Sequence, residues 1–267
     1  MPAMSTIDLP LLLIQAASES KSSLFHLPEN AQPYVQILLM WLHFLAGITW
    51  IGHLYFFNLV NVNLMKSLDG PTKGKVIPQL MPRALWWFRW GAVVTVLVGL
   101  TYYAMYILSP DVKSANAKGA HANPWMVLLV WLVIVLVVFA IEFFLVRSVD
   151  NGWMLAGIIG LLVTIMAIAI TKWVDGSIPG ASNRAFSIGI GGALGIIMLF
   201  NVWGIIWPNQ KRIIAWTFDN AEKGTAIPAE SAKLARQAFL ASRTNTWLSI
   251  PMLFLMAASQ YFPAFGR

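Results

Sequence analysis

Six apolar stretches, each close to the length of a lipid crossing, dominate this sequence. They lie at roughly 34–60, 84–108, 125–147, 153–174, 185–207 and 245–262. An α-helix needs about 20 residues to cross a hydrocarbon core about 30 Å thick. Inside hydrocarbon a segment must pair its own backbone N–H and C=O groups, so each run reads as a helix. Charge is scarce in proportion: 11% of the 267 residues are charged, where a soluble domain carries about 25%. A chain so poor in charge cannot cover a water-facing surface. The expected fold class is all-α, an integral membrane helical bundle of about six transmembrane helices.

The basic residues orient that bundle. Lys66, Lys73, Lys75 and Arg83 lie between the first two runs, Arg147 follows the third, and Lys211, Arg212, Lys223, Lys233, Arg236 and Arg243 lie between the last two. Lys21, Lys113, Lys118, Lys172, Arg184 and Arg267 fall on the opposite side, and Arg89 stands inside the second run. Positive loops face the cytoplasm, so both termini are expected outside, which is the periplasmic side if the membrane is a bacterial inner membrane. The net charge of +7 therefore reports orientation in the lipid bilayer rather than a nucleic-acid partner. The N-terminal stretch 1–33 has Leu9 to Ile14 as its apolar part, with Asp8 before it and no Lys or Arg upstream. A secretory signal needs a basic start, so this stretch is expected to be an interfacial segment preceding a transmembrane domain over 34–267. The polar connection 208–243 is expected to hold a cytoplasmic amphipathic helix over 230–242.

Pro33, Pro82, Pro110, Pro124, Pro208 and Pro263 flank the runs, as expected of a residue that cannot donate inside a helix. Gly157 with Gly160, and Gly189, Gly191, Gly192 and Gly195, form small-residue seams. Such seams let helix backbones approach closely, and they also leave room for a flat cofactor. Phe57-Asn58 near the end of the first run is echoed by Phe200-Asn201 near the end of the fifth. Pro251 is expected to kink the last helix.

Ionisable groups are costly inside a bilayer, so each one there is a functional candidate. His43 and His53 share the first run. Ten residues separate them by about 15 Å along a helix and leave them about 80° apart around it, so they cannot both ligate one iron. Each is a candidate haem ligand, His43 the preferred one and His53 the second, because a neutral imidazole binds iron and a porphyrin fits an apolar slot between helices. With no cysteine in the chain, any haem is held non-covalently, haem b being the one expected, and thiolate metal centres and iron–sulfur clusters are excluded. The alternative for each histidine is a hydrogen bond to a neighbouring helix. Arg89, Glu142, Asn201 and Asn245 fall at a depth similar to His53 and Asn58, which points to one polar cluster toward the cytoplasmic side. Within it Arg89 could pair with Glu142, hold a haem propionate or snorkel to the interface among Trp86, Trp87 and Trp90.

His43-Phe-Leu-Ala-Gly-Ile-Thr-Trp50-Ile-Gly-His53-Leu-Tyr-Phe-Phe-Asn58-Leu-Val-Asn61 resembles the first helix of the membrane domain of the bacterial cytochrome-linked urate oxidase (urate hydroxylase) family. Trp87-Phe-Arg89-Trp90, Phe200-Asn201-Val202-Trp203-Gly204 with Pro208-Asn209-Gln210-Lys211, and Arg243-Thr-Asn245-Thr-Trp-Leu-Ser249-Ile-Pro251-Met252 are similar to later parts of the same domain. The spacing from His43 to Trp50 and Gly52 also resembles haem-binding membrane proteins of the protoporphyrinogen oxidase type, with His43 in the ligand position. The family resemblance implies a membrane oxidoreductase that passes electrons toward a periplasmic cytochrome c. This chain has no C-x-x-C-H motif, so the acceptor is expected to be a separate cytochrome c or a larger respiratory assembly. Two other functions stay open on the sequence: a non-catalytic membrane anchor or assembly subunit of a respiratory complex, and a small-molecule transporter.

Overall fold

The computed structural model describes residues 27–265. Two units separate at position 35, Met1–Val35 and Gln36–Arg267, and the second carries the bundle. Of the expected interfacial segment, residues 1–26 lie outside the described residues, as does Arg267. All regular structure among the described residues is helical, without a strand. Among the described residues five helices are long and apolar enough to cross a membrane: α1 (Ala31–Ser67), α2 (Gly70–Ala117), α3 (Pro124–Ser148), α4 (Gly152–Ser177) and α5 (Asn183–Lys223). A sixth, α6 (Glu230–Tyr261), has the length, at 32 residues. Its Asn245, Ser249 and Pro251 dilute its apolarity. It nonetheless runs antiparallel to α5 over its full length. Asn183 Nδ2 donates to the carbonyls of Ala258 and Ser259, Asn201 to Asn245, Asn209 to Leu234, and Arg212 meets Glu230 at the far end. A helix paired end to end with a spanning helix returns to the side where that helix began. The protein is thus an all-α, multi-pass membrane bundle.

Asparagine, aspartate and serine side chains start these helices. Asn123 accepts from the amides of Trp125 and Met126 at α3, Asn151 from those of Trp153 and Met154 at α4, and Ser182 from Ala185 at α5. Each satisfies amides that the first helical turn leaves without an internal partner. Gly224, at φ 66°, closes α5 in the left-handed conformation that glycine adopts without strain. Asp69 caps α2 by accepting from Thr72 N at 2.8 Å. The Thr72 hydroxyl and amide hold the Asp69 carboxyl below its ordinary pKa. A carboxyl depressed on folding adds stability above its unfolded pKa, and that contribution disappears as pH falls through the folded value. The protection of the Thr72 amide against deuterium exchange, taken relative to its intrinsic rate at each pH, is therefore expected to fall on acidification in the wild type. In Asp69→Asn that fall should vanish, because the amide cap does not titrate.

The helices run well past the apolar stretches. α2 contains Pro78 and Pro82 in its interior, so Pro82 marks where hydrocarbon begins rather than where the helix begins. Pro110 and Pro208, expected at helix margins, also lie inside continuous helices. Each follows a π-helical segment by two residues, Ala104–Leu108 and Val202–Ile206. A proline ring collides with the carbonyl four residues back and has no N–H to offer it. The wider π turn lets the helix continue through the proline. A third π segment, Phe56–Asn61, has no proline behind it; there Asn58 Nδ2 caps the carbonyl of Leu54 at 3.0 Å. The two Phe-Asn pairs noted in the sequence both lie at π turns, and both asparagines hydrogen-bond to α6.

The polar connection 208–243 is not a separate amphipathic helix. It is the far ends of α5 and α6 joined through residues 224–229, because the helical hydrogen-bond ladder carries on after the apolar residues stop. α5 is the centre of the bundle: its apolar window is 78% buried, against 6% for α1. Gly191 and Gly195 press against Met252, Leu255 and Met256 of α6, while Gly189 meets the Tyr103 hydroxyl and Gly192 faces Trp131. That seam serves helix packing. Gly157 and Gly160 face open space.

Candidate functional site

Three sites emerge where the sequence pointed to one polar cluster. The first is a buried triad. Asn201 Nδ2 on α5 donates to Glu142 Oε1 on α3 at 2.7 Å and to Asn245 Oδ1 on α6 at 2.8 Å; Asn245 Nδ2 donates to the Met198 carbonyl at 2.9 Å. Glu142 is 1% exposed, and both asparagines are fully buried. The geometry follows from α5, where the π segment begins immediately after Asn201. π turns inside helices recur at functional sites. Asn201 Oδ1 is buried without a hydrogen-bond partner.

Arg89 does not join this triad. The expected Arg89–Glu142 pair does not form: among the described residues the ion pairs are Arg212–Glu230 and Lys223–Asp219, both at polar helix ends. Arg89 Nε donates to the Leu85 carbonyl at 3.1 Å, and its guanidinium lies 3.4 Å from the Trp207 ring centroid and 5.4 Å from that of Trp203. Stacking on indole faces steadies a half-buried guanidinium without a carboxylate. Asn58 also stands apart from Glu142, donating to Ser242 Oγ at 2.8 Å.

The second site is a groove of about 400 Å³ beside α1, lined by Ile48, Thr49, Gly52, His53, Phe56, Leu80 and Ala84. His53 Nδ1 lies 2.7 Å from the Thr49 carbonyl. A carbonyl only accepts, so Nδ1 carries the proton, and Nε2 keeps the lone pair a metal would take. Gly52 has nothing within 4 Å of where a Cβ would stand, which leaves the floor of the groove flat. His43 has the same tautomer, its Nδ1 donating to the Thr95 carbonyl of α2 at 2.9 Å. Its ring sits directly on Gly99 and does not line the groove. The sequence reading missed this α1–α2 contact. Gly91, Thr95 and Gly99 recur every fourth residue along α2, a small-residue spacing visible in the sequence, and they meet Trp50, Gly47 and His43 in turn.

The third is a crevice of about 100 Å³ at the polar end, lined among others by Asn58, Asn61, Ile206, Gln210, Ala238 and Ser242. Asn61 Oδ1 is buried there without a partner. A hydroxyl ladder on α6 leads inward from it. Thr246 Oγ1 donates to the Ser242 carbonyl and Ser249 Oγ to the Thr246 carbonyl, and Ser249 meets the Tyr55 hydroxyl at 3.0 Å. Ser249 thereby supplies a donor to a carbonyl near the interruption at Pro251.

No curated protein and no solved structure matches the chain. The model of the family described as urate oxidase N-terminal matches residues 70–267, a stretch that takes in Arg89, Glu142, Asn201 and Asn245 and leaves out the α1 histidines. With that match covering most of its length, the chain belongs to the urate oxidase N-terminal family.

Proposed function

We propose that this protein is a membrane redox module of urate-oxidase-like type, which holds haem b non-covalently and passes electrons toward a periplasmic cytochrome c. The observation that carries the reading is His53. Its Nδ1 is committed to the Thr49 carbonyl, its Nε2 has no hydrogen bond among the described residues, and an open apolar groove lies beside it. A backbone carbonyl behind a histidine fixes the ring and raises its basicity as a ligand. The donor set suits haem iron, which would supply one-electron chemistry when bound. Ile48, Phe56, Leu80 and Ala84 make that face apolar. His43, at another depth and in the same tautomer, is the second ligand candidate, and Arg89 remains a candidate propionate or substrate anchor on the polar side.

The optical spectrum of the purified protein tests the reading. A Soret band is expected, and His53→Ala should abolish or strongly shift it. A protein purified from haem-replete cells without a Soret band refutes haem binding; a band lost only in His43→Ala moves the ligand to the α1–α2 contact. A second reading, an anchor or assembly subunit of a respiratory complex, draws support from α1, whose apolar window is almost wholly uncovered. Trp41, Phe44 and Ile48 stand outward there. Co-purification of a stable stoichiometric partner without bound cofactor would favour it.

A further inference from the structure

Glu142 is a carboxyl buried in a helical bundle with no cation beside it among the described residues. On its own helix Arg147 is turned onto Phe143; from α2 Arg89 lies over Trp207; from α6 Arg243 lies over Phe239. The charges of α4 within its helix, Lys172 and Asp175, sit at the opposite end from where α4 meets the close of α3, and those of α5 lie at Arg184 and beyond Pro208. An ionised carboxylate buried without a counter-ion is costly, and an intramembrane carboxyl of this kind is typical of proton relays.

One acceptor of the triad is left over. Asn201 gives its two N–H groups to Glu142 and Asn245, Asn245 gives one to Met198, and Asn201 Oδ1 is buried without a partner among the described residues. Of the three side chains only the Glu142 carboxylate can take up a further proton.

The crevice at the polar end reaches toward this triad along two helices. Ile206 on α5 lines it, and Asn201 lies one π turn further in; Ser242 on α6 lines it, and Asn245 lies one turn further in. The volume of about 100 Å³ has room for about three waters, and Asn58, Asn61, Gln210 and Ser242 offer them both donors and acceptors. The partnerless Asn61 Oδ1 is an acceptor such a water would satisfy.

We propose that Glu142, with Asn201 and Asn245, forms a proton-binding site in the membrane interior, loaded from the basic-loop side through the crevice between α1, α2, α5 and α6. The step is the binding and release of one proton at the carboxylate; no electron moves and no other bond changes. This site stands independently of haem binding, so either reading can fail alone.

Infrared difference spectroscopy of the whole protein in lipid tests it. Titration between about pH 5 and 9, a window above that of exposed carboxyls, is expected to reveal a protonated-carboxyl C=O band. The band should shift in deuterium oxide and be missing from Glu142→Gln. Identical titration spectra for the wild type and that variant overturn the site. Should the variant not fold, isotope-labelled glutamate in the wild type gives the same reading, because Glu19, Glu29, Glu222 and Glu230 lie outside the apolar runs. Such a protein showing no titrating buried glutamate overturns the site equally. Ala238→Phe, which fills the crevice without touching the triad, is expected to slow deuterium exchange of the band about tenfold. Unchanged exchange overturns the route.

Discussion

Asn201→Leu is expected to destabilise the bundle by about 3–5 kcal/mol, the largest loss any single polar substitution here should produce. Leucine is close to asparagine in size, so the effect comes from hydrogen bonds rather than volume. Both N–H groups of Asn201 vanish together, stranding Glu142 Oε1 and Asn245 Oδ1 without the donor that pairs them. Asn245 keeps its own donation to the Met198 carbonyl but cannot turn its amide toward Glu142 without giving that up. Glu142→Gln should be far milder, within about 1 kcal/mol, since a glutamine oxygen still accepts from Asn201. Removing both ends, in Glu142→Leu with Asn201→Leu, should recover much of the single-variant loss, because an absent polar group needs no partner. Unfolding midpoints in mixed detergent micelles measure all three. An Asn201→Leu protein as stable as the wild type would mean that these two bonds do not hold the bundle together.

Gly99→Ala should cost about 1–3 kcal/mol, the usual range for forcing extra volume into a packed contact. A Cβ at position 99 would stand 2.7 Å from His43 Cε1 and 2.9 Å from its Nδ1, inside any allowed contact. The ring cannot simply turn aside, because its Nδ1 is tied to the Thr95 carbonyl. Either that bond breaks or α1 moves off α2. Gly91→Ala acts on the same seam, where the new methyl would meet backbone atoms of Trp50 and Ala46 at 3.2–3.3 Å. Gly157→Ala, facing open space, is the neutral control. Thermal unfolding ranks the variants, and the histidine ring signals in nuclear magnetic resonance should shift for Gly99→Ala alone. Unmoved His43 resonances in that variant would remove the proposed contact.

The number and order of the helices were legible from the spacing of apolar runs, because hydrocarbon thickness fixes how many such residues a crossing needs. Helix ends were not. Pro82, Pro110 and Pro208 read as boundaries, yet the chain continues helically through all three. Local sequence shows that proline removes a donor; it does not show that, at Pro110 and Pro208, a π turn just upstream absorbs the consequence. The sixth helix illustrates the same limit, since Asn245 and Ser249 make it look marginal alone, while α5 supplies the partners those side chains require.

The residue types of the candidate sites were equally visible, since a histidine, arginine or glutamate in a lipid-soluble run stands out against its solvent. Depth along each helix was legible too, from a rise of about 1.5 Å per residue. Rotation about each helix and the choice of neighbour were not. Arg89, Glu142 and Asn201 share a depth, yet only the last two meet, because Arg89 points to the indole faces of Trp203 and Trp207. His43 and His53 share a helix, yet one rests against Gly99 and the other borders a groove. Hydropathy depends on the composition of a segment, so the sequence alone established a membrane bundle with a few costly polar groups inside it. Which of those groups touch depends on how six helices turn against one another, and that is decided by side-chain packing between segments far apart in the chain.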